Sequence, residues 1–236
     1  MARWERALAV LRERVPEGER MLDLGCANGW GTAKVARHYE TFGIDPSEEY
    51  IEQARRRVPS AHLTVGPAEH LPYPDGHFAA VQMLDVLEHV ENERAAICEI
   101  VRVLRPGGLL VISVPHTGLM RWFDSNNVYA WLTGEDPLSP PGTPRSNFRY
   151  HRHYSLDALK CLLGDRFEIE YVHRSSLGIS ELLHLLIMLI CKRLLRSKQL
   201  YRIVIYLYFG AFIVEDFLPF DNWGYHVMIA ARRKAL

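Results

Sequence analysis

Two carboxylates and an imidazole lie within five residues of one another near the middle of the chain. Asp85, Glu88 and His89 have an i, i+3, i+4 spacing, which puts the three side chains on one face if this turn is helical. Two hard oxygens and one imidazole suit a divalent cation such as Mg²⁺ or Mn²⁺. The spacing predicts a metal that orients a substrate oxygen and lowers its pKa. Without a metal, His89 is a candidate general base.

Three further histidines lie in or beside a long segment that lacks helical or strand periodicity. His116, His151 and His153 are candidate general bases. An alternative is that they anchor the loop by hydrogen bonds to its backbone. The segment is rich in proline between residues 137 and 144, and such a long connection is typical of a lid or binding loop. We therefore expect residues 115–154 to form a lid.

A glycine-rich turn and a later acidic residue form the third group. The turn reads Gly25-Cys-Ala-Asn-Gly-Trp-Gly31, and Asp45 follows about twenty residues after its start. Glycines let a backbone pass close beneath a ligand, and a carboxylate at the end of the next strand can accept both hydroxyls of a ribose. Glycines alone are also compatible with an ordinary tight turn. The pair predicts a nucleoside cofactor, either a nicotinamide dinucleotide or S-adenosylmethionine.

The elements that position these residues alternate between strand and helix. Strands are predicted at 20–24, 41–45, 61–65, 78–84, 109–114, 167–173 and 225–231, with helices at the N-terminus and at about 32–38, 48–57, 92–104 and from 155. This order is typical of parallel βαβ units in a doubly wound α/β fold. Ligands bind such sheets at the carboxyl ends of the strands.

The turn after the first strand resembles a known family. Asp23-x-Gly25-x-Ala27-x-Gly29 resembles the D-x-G-x-G-x-G signature of class I S-adenosylmethionine-dependent methyltransferases, with Ala27 at the middle glycine, whereas a G-x-G-x-x-G dinucleotide fingerprint is absent. Segments 66–78, 83–90 and 99–108 are similar to three further motifs of the family, in the same order. The resemblance extends to about residue 173 and is to the ubiquinone-biosynthesis type. It implies S-adenosylmethionine as cofactor.

The resemblance also implies a fold and a set of cofactor-binding residues. The expected fold is a single domain, 1–236, with a seven-stranded, mostly parallel, Rossmann-like sheet of order 3-2-1-4-5-7-6 whose last strand is antiparallel. Asp23 and Gly25 would line the methionine end of the cofactor, and Asp45 would hold the ribose hydroxyls. Ala68 would face the adenine through its backbone, and Glu69 would replace an adenine-binding acid where this chain has Pro67. The complete expected set is Asp23, Gly25, Cys26, Asn28, Gly29, Asp45, Pro46, Ala68, Glu69 and Leu84.

The acidic cluster and the lid have counterparts in particular branches of the family. Asp85, Glu88 and His89 resemble the E-x-x-E-H metal triad of ubiquinone-biosynthesis O-methyltransferases and of small-RNA 2′-O-methyltransferases. The small-RNA group adds a later histidine, which makes His151 or His153 the expected fourth ligand. Many methyltransferases of the class carry L-E-H-V here without a metal, so both alternatives stay open. By the same resemblance, residues 115–154 bind the acceptor.

A strongly apolar segment precedes the last predicted strand. Between Ile179 and Phe220, 28 of 42 residues are apolar or aromatic, where the family usually has a short turn. The two apolar runs, 182–191 and 203–214, are shorter than the roughly twenty residues of a membrane-spanning helix. We expect residues 177–222 to form a helical insertion that lies on a membrane surface, forms a homodimer interface or covers a lipid-like acceptor. A hairpin packed on the sheet is the plainer alternative.

The net charge, the cysteines and the N-terminal sequence restrict the partners and the cellular compartment that we expect for this chain. Twenty-eight basic residues balance 28 acidic residues, which argues against a nucleic-acid partner. Four isolated cysteines and an N-terminus without a signal-peptide pattern favour a cytoplasmic protein, at most peripheral to the inner face of a membrane. The expected function is methylation of an oxygen on a small hydrophobic, lipid-linked or glycan-type acceptor. The alternatives are a non-catalytic S-adenosylmethionine-binding scaffold and a metal-dependent enzyme acting on a nucleic-acid or sugar hydroxyl.

Overall fold

The computed structural model describes residues 2–118, 124–135, 152–175, 179–217 and 224–235. The strands in these residues are β1 (Arg20–Leu24), β2 (Glu40–Asp45), β3 (His62–Val65), β4 (Phe78–Leu84), β5 (Leu104–Pro115), β6 (Phe167–Ser175) and β7 (His226–Arg233). The helices are α1 (Ala2–Arg14), α2 (Thr32–Val35), α3 (Glu48–Arg57), α4 (Glu93–Val103), α5 (Ser125–Thr133), α6 (Leu156–Leu163), α7 (Ile179–Met188) and α8 (Lys198–Phe217).

The strands form one seven-stranded sheet of order β3-β2-β1-β4-β5-β7-β6, with the last strand antiparallel. This is the predicted fold. In the centre, Leu22 of β1 pairs in parallel with Phe42 of β2 and with Val81 of β4. All seven residues of β4 are buried, as expected for a parallel strand covered on both faces. The carboxyl ends of β1 to β4 therefore share one edge of the sheet.

The amphipathic helix α1 covers part of one face of this sheet. Ala7, Val10 and Leu11 are buried at helical spacing, and they belong to one apolar cluster with Met21 of β1 and Val111 of β5. The core that fixes the strand ends is thus built mainly from aliphatic side chains.

The residues group into two compact units. The first comprises Met1–Val114, Leu156–Val172 and Met228–Leu236, and the second comprises Pro115–Ser155 and His173–Val227. Both the predicted lid and the predicted helical insertion belong to the second unit. The expectation of a single domain stays a prediction.

The predicted irregular segment 115–154 contains a helix, α5, which the sequence interpretation missed. Asp124 caps it, since its Oδ1 accepts a hydrogen bond from the Asn127 amide at 2.8 Å. Tyr129 and Ala130 are buried, and Gly134 ends the helix with a φ of 68°. The prolines that suggested irregularity lie outside the described residues.

The predicted insertion is helical over most of its described residues. α7 continues through a π-helical turn, Leu189–Leu194, and α8 runs from Lys198 to Phe217, beyond both ends of the apolar run at 203–214. Within the described parts of the chain, no helix is both long enough and apolar enough to cross a membrane.

Candidate cofactor site and candidate acceptor residues

The turn after β1 adopts an unusual backbone conformation. Gly25, Ala27 and Gly29 have φ values of 76°, 43° and 81°. A Cβ at Gly25 would lie 2.2 Å from a Val86 methyl carbon, so only glycine fits there. Ala27, which replaces the family's middle glycine, adopts the left-handed conformation despite its steric cost. Its amide donates to Asp45 Oδ2 at 3.0 Å, which holds this residue in place.

Asp45 ends β2 beside this turn, as predicted. Its carboxylate accepts amide hydrogen bonds from Ala27 through Oδ2 and from Ser47 through Oδ1, the latter at 2.9 Å. Each carboxylate oxygen has a second lone pair, so both oxygens can still accept a hydroxyl. This donor and acceptor chemistry fits a ribose. Pro46 is exposed next to it and precedes Ser47, the N-cap of α3.

The side chain of Asp23 is more deeply buried than expected for a carboxylate that only faces a ligand. It is 1% exposed, and its two oxygens accept hydrogen bonds from the Thr32 hydroxyl at 2.6 Å and the Gln82 amide at 2.9 Å. Burial raises the pKa of Asp23 to about 6, against the opposing effect of these hydrogen bonds. Asp23 therefore joins β1, β4 and α2. Its contact with the methionine end of a cofactor stays a prediction.

The remaining turn residues are held by the protein around them. Cys26 is buried, and burial raises the pKa of its thiol. The Asn28 carbonyl accepts a hydrogen bond from the guanidinium of Arg57, which also lies 4.7 Å from the centre of the exposed Trp30 ring. The last residue of α3 thus stabilises the turn from outside, a contact that the sequence interpretation did not anticipate.

The loop after β3 carries the expected adenine-binding residues. Ala68 is buried, and Glu69 Oε1 accepts a hydrogen bond from the Asn92 amide at 3.2 Å. Leu84, the other predicted residue at this edge, is buried at the end of β4. A role in adenine binding stays a prediction for Ala68 and Glu69.

Two residues of α4 that were not predicted as site residues hold this loop. Glu99 Oε2 accepts the Leu71 amide at 2.7 Å, and Arg102 donates to the carbonyls of Leu71 and Tyr73 at 2.8 and 2.6 Å. Hydrogen bonds from Arg102 are the largest cause that lowers the pKa of Glu99, to about 2. The i, i+3 Glu–Arg spacing in α4 was the available signal.

The predicted metal ligands are not assembled as expected. Asp85 has a φ of 57° and precedes the helical turn, so the three residues do not follow one helical face. Its carboxylate accepts hydrogen bonds from Arg3 and, at 2.8 Å, from Ser113, whereas Glu88 is buried and His89 exposed. Among the described residues, no group of three His, Cys, Asp or Glu side chains is placed to hold a metal. These residues do not fit the predicted Mg²⁺ or Mn²⁺.

The candidate bases fall in different places. His89 belongs to the first unit, His116 and His153 belong to the second, and His151 lies outside the described residues. His116 Nδ1 accepts the Gly118 amide at 3.1 Å, so any proton on the neutral ring is on Nε2. Burial and then Arg174 lower the pKa of His116. This geometry is that of a histidine that anchors a loop, the alternative considered for these histidines.

His153 pairs with a buried carboxylate in the second unit. Its Nε2 lies 3.4 Å from Oδ2 of Asp124, which is 1% exposed and also accepts the Tyr225 hydroxyl at 2.8 Å. The pKa of Tyr225 is raised well above its ordinary value, mainly by burial. This contact is an ion pair when the ring is protonated. His153 therefore stays a candidate general base, and we no longer predict that it binds a metal.

A buried hydrogen-bond network connects α5, α7 and α8 in the second unit. The Ser125 hydroxyl lies 2.5 Å from Glu181 Oε2 and 2.8 Å from His184 Nδ1. His184 Nε2 lies 3.0 Å from the Tyr201 hydroxyl, and the Tyr208 hydroxyl donates to Glu181 Oε1 at 3.2 Å. The sequence interpretation treated α7 and α8 as simply apolar and missed this network.

The fold resembles that of a known class of enzyme. The sheet order is that of the class I S-adenosylmethionine-dependent methyltransferase fold, and the loops after β1 to β4 carry the motifs that resemble that class. A solved S-adenosylmethionine-dependent methyltransferase from Methanosarcina mazei superposes with a TM-score of 0.64, covering 96% of this chain and 98% of that chain at 21% identity. At this identity the likeness concerns the fold.

The sequence of the same region is similar to known methyltransferases. Residues 22–112 match the family model described as a methyltransferase domain. A demethylmenaquinone methyltransferase of Tropheryma whipplei is 38% identical over 117 residues, which cover 47% of each protein. A 27-O-demethylrifamycin SV methyltransferase of Amycolatopsis mediterranei is 36% identical over 103 residues, 40% of this chain and 38% of that protein. The chain thus spans less than half the length of these curated relatives.

Proposed function

We propose that the chain transfers a methyl group from S-adenosylmethionine to an oxygen of a small hydrophobic, lipid-linked or glycan-type acceptor. The observation that carries the proposal is the bond between the Ala27 amide and Asp45. It joins the glycine-rich turn to the ribose-binding carboxylate, so the two parts of the site form before a cofactor arrives. Such preorganisation lowers the entropic cost of binding.

When bound, S-adenosylmethionine supplies an electrophilic methyl carbon attached to a positively charged sulfur. The acceptor oxygen forms the new C–O bond, the C–S bond breaks with its electrons remaining on sulfur, and the acceptor proton goes to a base. Asp45 would accept the ribose hydroxyls, and the turn at 25–29 would lie under the methionine end. Alignment of the reacting atoms supplies much of the rate in such a displacement.

Among the described candidate bases, the local geometry favours His153. Asp124 Oδ2 lies 3.4 Å from its Nε2, and a carboxylate at this distance stabilises the imidazolium that forms when the ring takes up a proton. His116 already accepts a backbone hydrogen bond through Nδ1, which makes it a positioning residue. We expect His153→Gln to lower the methylation rate by about 100-fold or more, the usual contribution of a general base. We expect His116→Gln to act mainly through the stability of its loop.

An oxygen acceptor is supported by one relative, which is named for a 27-O-demethylated rifamycin. A hydrophobic acceptor is supported by a second relative, which is named as a demethylmenaquinone methyltransferase. We propose no role for a metal, because the predicted ligands do not fit one.

Two measurements test the proposal. Isothermal titration of the full chain with S-adenosylmethionine and S-adenosylhomocysteine should show binding of both, and a folded chain that binds neither would refute the activity. Incubation with methyl-labelled S-adenosylmethionine and a bacterial polar-lipid extract should then carry label into the organic phase. Label confined to water-soluble products would contradict a hydrophobic acceptor. Binding without transfer to any acceptor would favour the non-catalytic scaffold.

A further inference from the structure

The α7–α8 hairpin (Ile179–Phe217, with its π-helical turn) exposes apolar side chains and buries polar ones. On α7, Glu181 and His184 are buried with Ile187 and Met188, and their polar atoms belong to the network with Ser125 and the two tyrosines of α8. The large apolar side chains exposed along the hairpin are Leu182, Leu186, Ile190, Leu194, Leu195, Ile203, Tyr206, Leu207, Phe209 and Val214.

The exposed apolar side chains of the hairpin are unusual for a surface that faces only water. A surface helix of a water-soluble domain normally turns its apolar stripe inward and its polar face outward. Here Leu182, Leu186 and Ile190 repeat every four residues and are each more than 40% exposed, and Ile203 and Leu207 on α8 are each 63% exposed. So many exposed apolar side chains on one hairpin indicate a site of contact with an apolar medium or partner.

The charge of the α7–α8 hairpin helps to decide between an apolar medium, such as a lipid membrane, and an apolar protein partner. Residues 182–214 contain five cations, Lys192, Arg193, Arg196, Lys198 and Arg202, and no aspartate or glutamate, whereas the carboxylates of the hairpin occur near its two ends, at positions 181, 215 and 216. All five lie in or next to the turn between the two helices. Arg193 pairs with Glu135 at 2.8 Å, and Lys192 lies 4.6 Å from the centre of the Tyr201 ring. Arg196, Lys198 and Arg202 are exposed.

We propose that the outer face of the α7–α8 hairpin docks onto an anionic lipid surface. The exposed leucine, isoleucine and aromatic side chains enter the boundary between headgroups and acyl chains, and the cations of the turn lie at the phosphates. The aliphatic stems of lysine and arginine let their charges stay in water while the helices are partly immersed.

A second copy of the chain suits this face less well. A symmetric dimer places the same patch on both subunits. Its interface would bring together the exposed cations Arg196, Lys198 and Arg202 of each copy, with no carboxylate from residues 182–214 to neutralise them. Phosphate-bearing lipids neutralise that charge instead. The inference concerns where the chain binds and does not depend on the proposed methyl transfer.

Flotation of the full chain with vesicles tests the inference. Vesicles of equal parts phosphatidylcholine and phosphatidylglycerol should carry the protein upward, and high salt or phosphatidylcholine alone should weaken this binding. Ile203→Asp with Leu207→Asp should abolish it. Val172→Asp, a change at an exposed apolar residue of β6, is the matched control and should float like the unaltered chain.

A charge variant separates the electrostatic part and avoids new acidic groups. Arg196→Gln, Lys198→Gln and Arg202→Gln together should lower the partition coefficient on the order of 100-fold, since each cation near an anionic surface contributes about tenfold or somewhat less. The matched control neutralises three exposed cations elsewhere, Arg56, Arg94 and Lys160, and should change binding little. Circular dichroism and S-adenosylmethionine titration of every sample separate loss of folding or cofactor binding from loss of docking.

Three outcomes would overturn the inference. One is a folded chain that does not float with the anionic vesicles. Another is an equal loss of vesicle binding in the two triple variants. The binding would then depend on the net charge of the chain and not on the cations of the turn. The third is a concentration-dependent dimer that Ile203→Asp disperses while vesicle binding is absent, because the face would then be a subunit interface.

Discussion

The buried carboxyl of Asp23 gives the chain a pH-dependent stability that a single substitution should remove. Two hydrogen bonds, from Thr32 and Gln82, hold the carboxylate, but they do not offset its burial, and its pKa is raised from 3.8 to about 6. Asp23→Asn keeps the shape and one acceptor oxygen and removes the titration. The side-chain amide of Gln82 can rotate to pair with the new amide.

The sign and size follow from the two pKa values. The folded pKa exceeds the unfolded one, so the contribution of Asp23 to stability is fully present below about pH 3.8 and is lost as the pH rises through about 6. Over the interval from pH 4 to pH 8 the loss is about 2 kcal/mol of unfolding free energy. The free energy of unfolding of Asp23→Asn, minus that of the unaltered chain, should therefore rise by about 2 kcal/mol over this interval.

Urea denaturation at several pH values measures this difference. Asp157→Asn is the control, since Asp157 is an exposed aspartate whose side chain is 92% accessible, and its difference from the unaltered chain should stay nearly constant. Carboxyl-carbon NMR, assigned by the signal that Asp23→Asn removes, should give a midpoint near pH 6. A midpoint below pH 4.5, or a stability difference that does not change with pH, would show that the two hydrogen bonds outweigh burial.

Four further changes test the site and its surroundings. Gly25→Ala should lower the unfolding free energy by about 2 kcal/mol or more because of its positive φ and its contact with Val86, and added Val86→Ala should restore only the part due to the contact. Asp45→Asn should weaken S-adenosylmethionine binding at least about tenfold by calorimetry, since hydrogen bonds to charged groups contribute about 1.5–3 kcal/mol; unchanged affinity would contradict its role. Ser125→Ala should lower stability by about 1–3 kcal/mol and speed amide exchange in α7, which unchanged protection would disprove. Added Mn²⁺ should not raise the melting temperature, because Asp85 is engaged elsewhere; a saturable rise would restore the metal site.

The cofactor edge could be predicted because short-range patterns determine it. β4 was predicted with its observed bounds, Phe78–Leu84, since a continuous apolar run between turns is typical of a buried parallel strand. The positions of Asp45 and of the turn at Gly25 follow once neighbouring strands are parallel. The conformation of Ala27 did not follow, because it depends on a bond to Asp45 across 18 positions of sequence.

The predicted metal site at Asp85, Glu88 and His89 shows that residue spacing alone can give a wrong prediction. The i, i+3, i+4 argument assumed that Asp85 lies on the same helical turn as Glu88 and His89. Asp85 instead leaves β4 in the left-handed conformation, and its carboxylate binds Arg3, 82 positions earlier in the sequence. No local pattern reports such a partner. The contacts of Arg102 with the loop after β3 were missed for the same reason, because they span about thirty positions.

The apolar insertion was predicted as a segment, but its inner and outer faces were not distinguished. Glu181 and His184 look like interruptions of an apolar run, yet they are three residues apart and face the same way, toward Ser125. In a helix that is otherwise apolar, polar residues at this spacing mark the side where hydrogen-bond partners are available, because a polar group buried without a partner costs about 1–3 kcal/mol. Leu182, Leu186 and Ile190, which are exposed on another side of the helix, are then left for contact with an apolar medium. Ser125→Ala and Ile203→Asp with Leu207→Asp should therefore have separate effects: the first should loosen α7 without reducing vesicle binding per folded molecule, and the second should abolish vesicle binding without speeding amide exchange in α7.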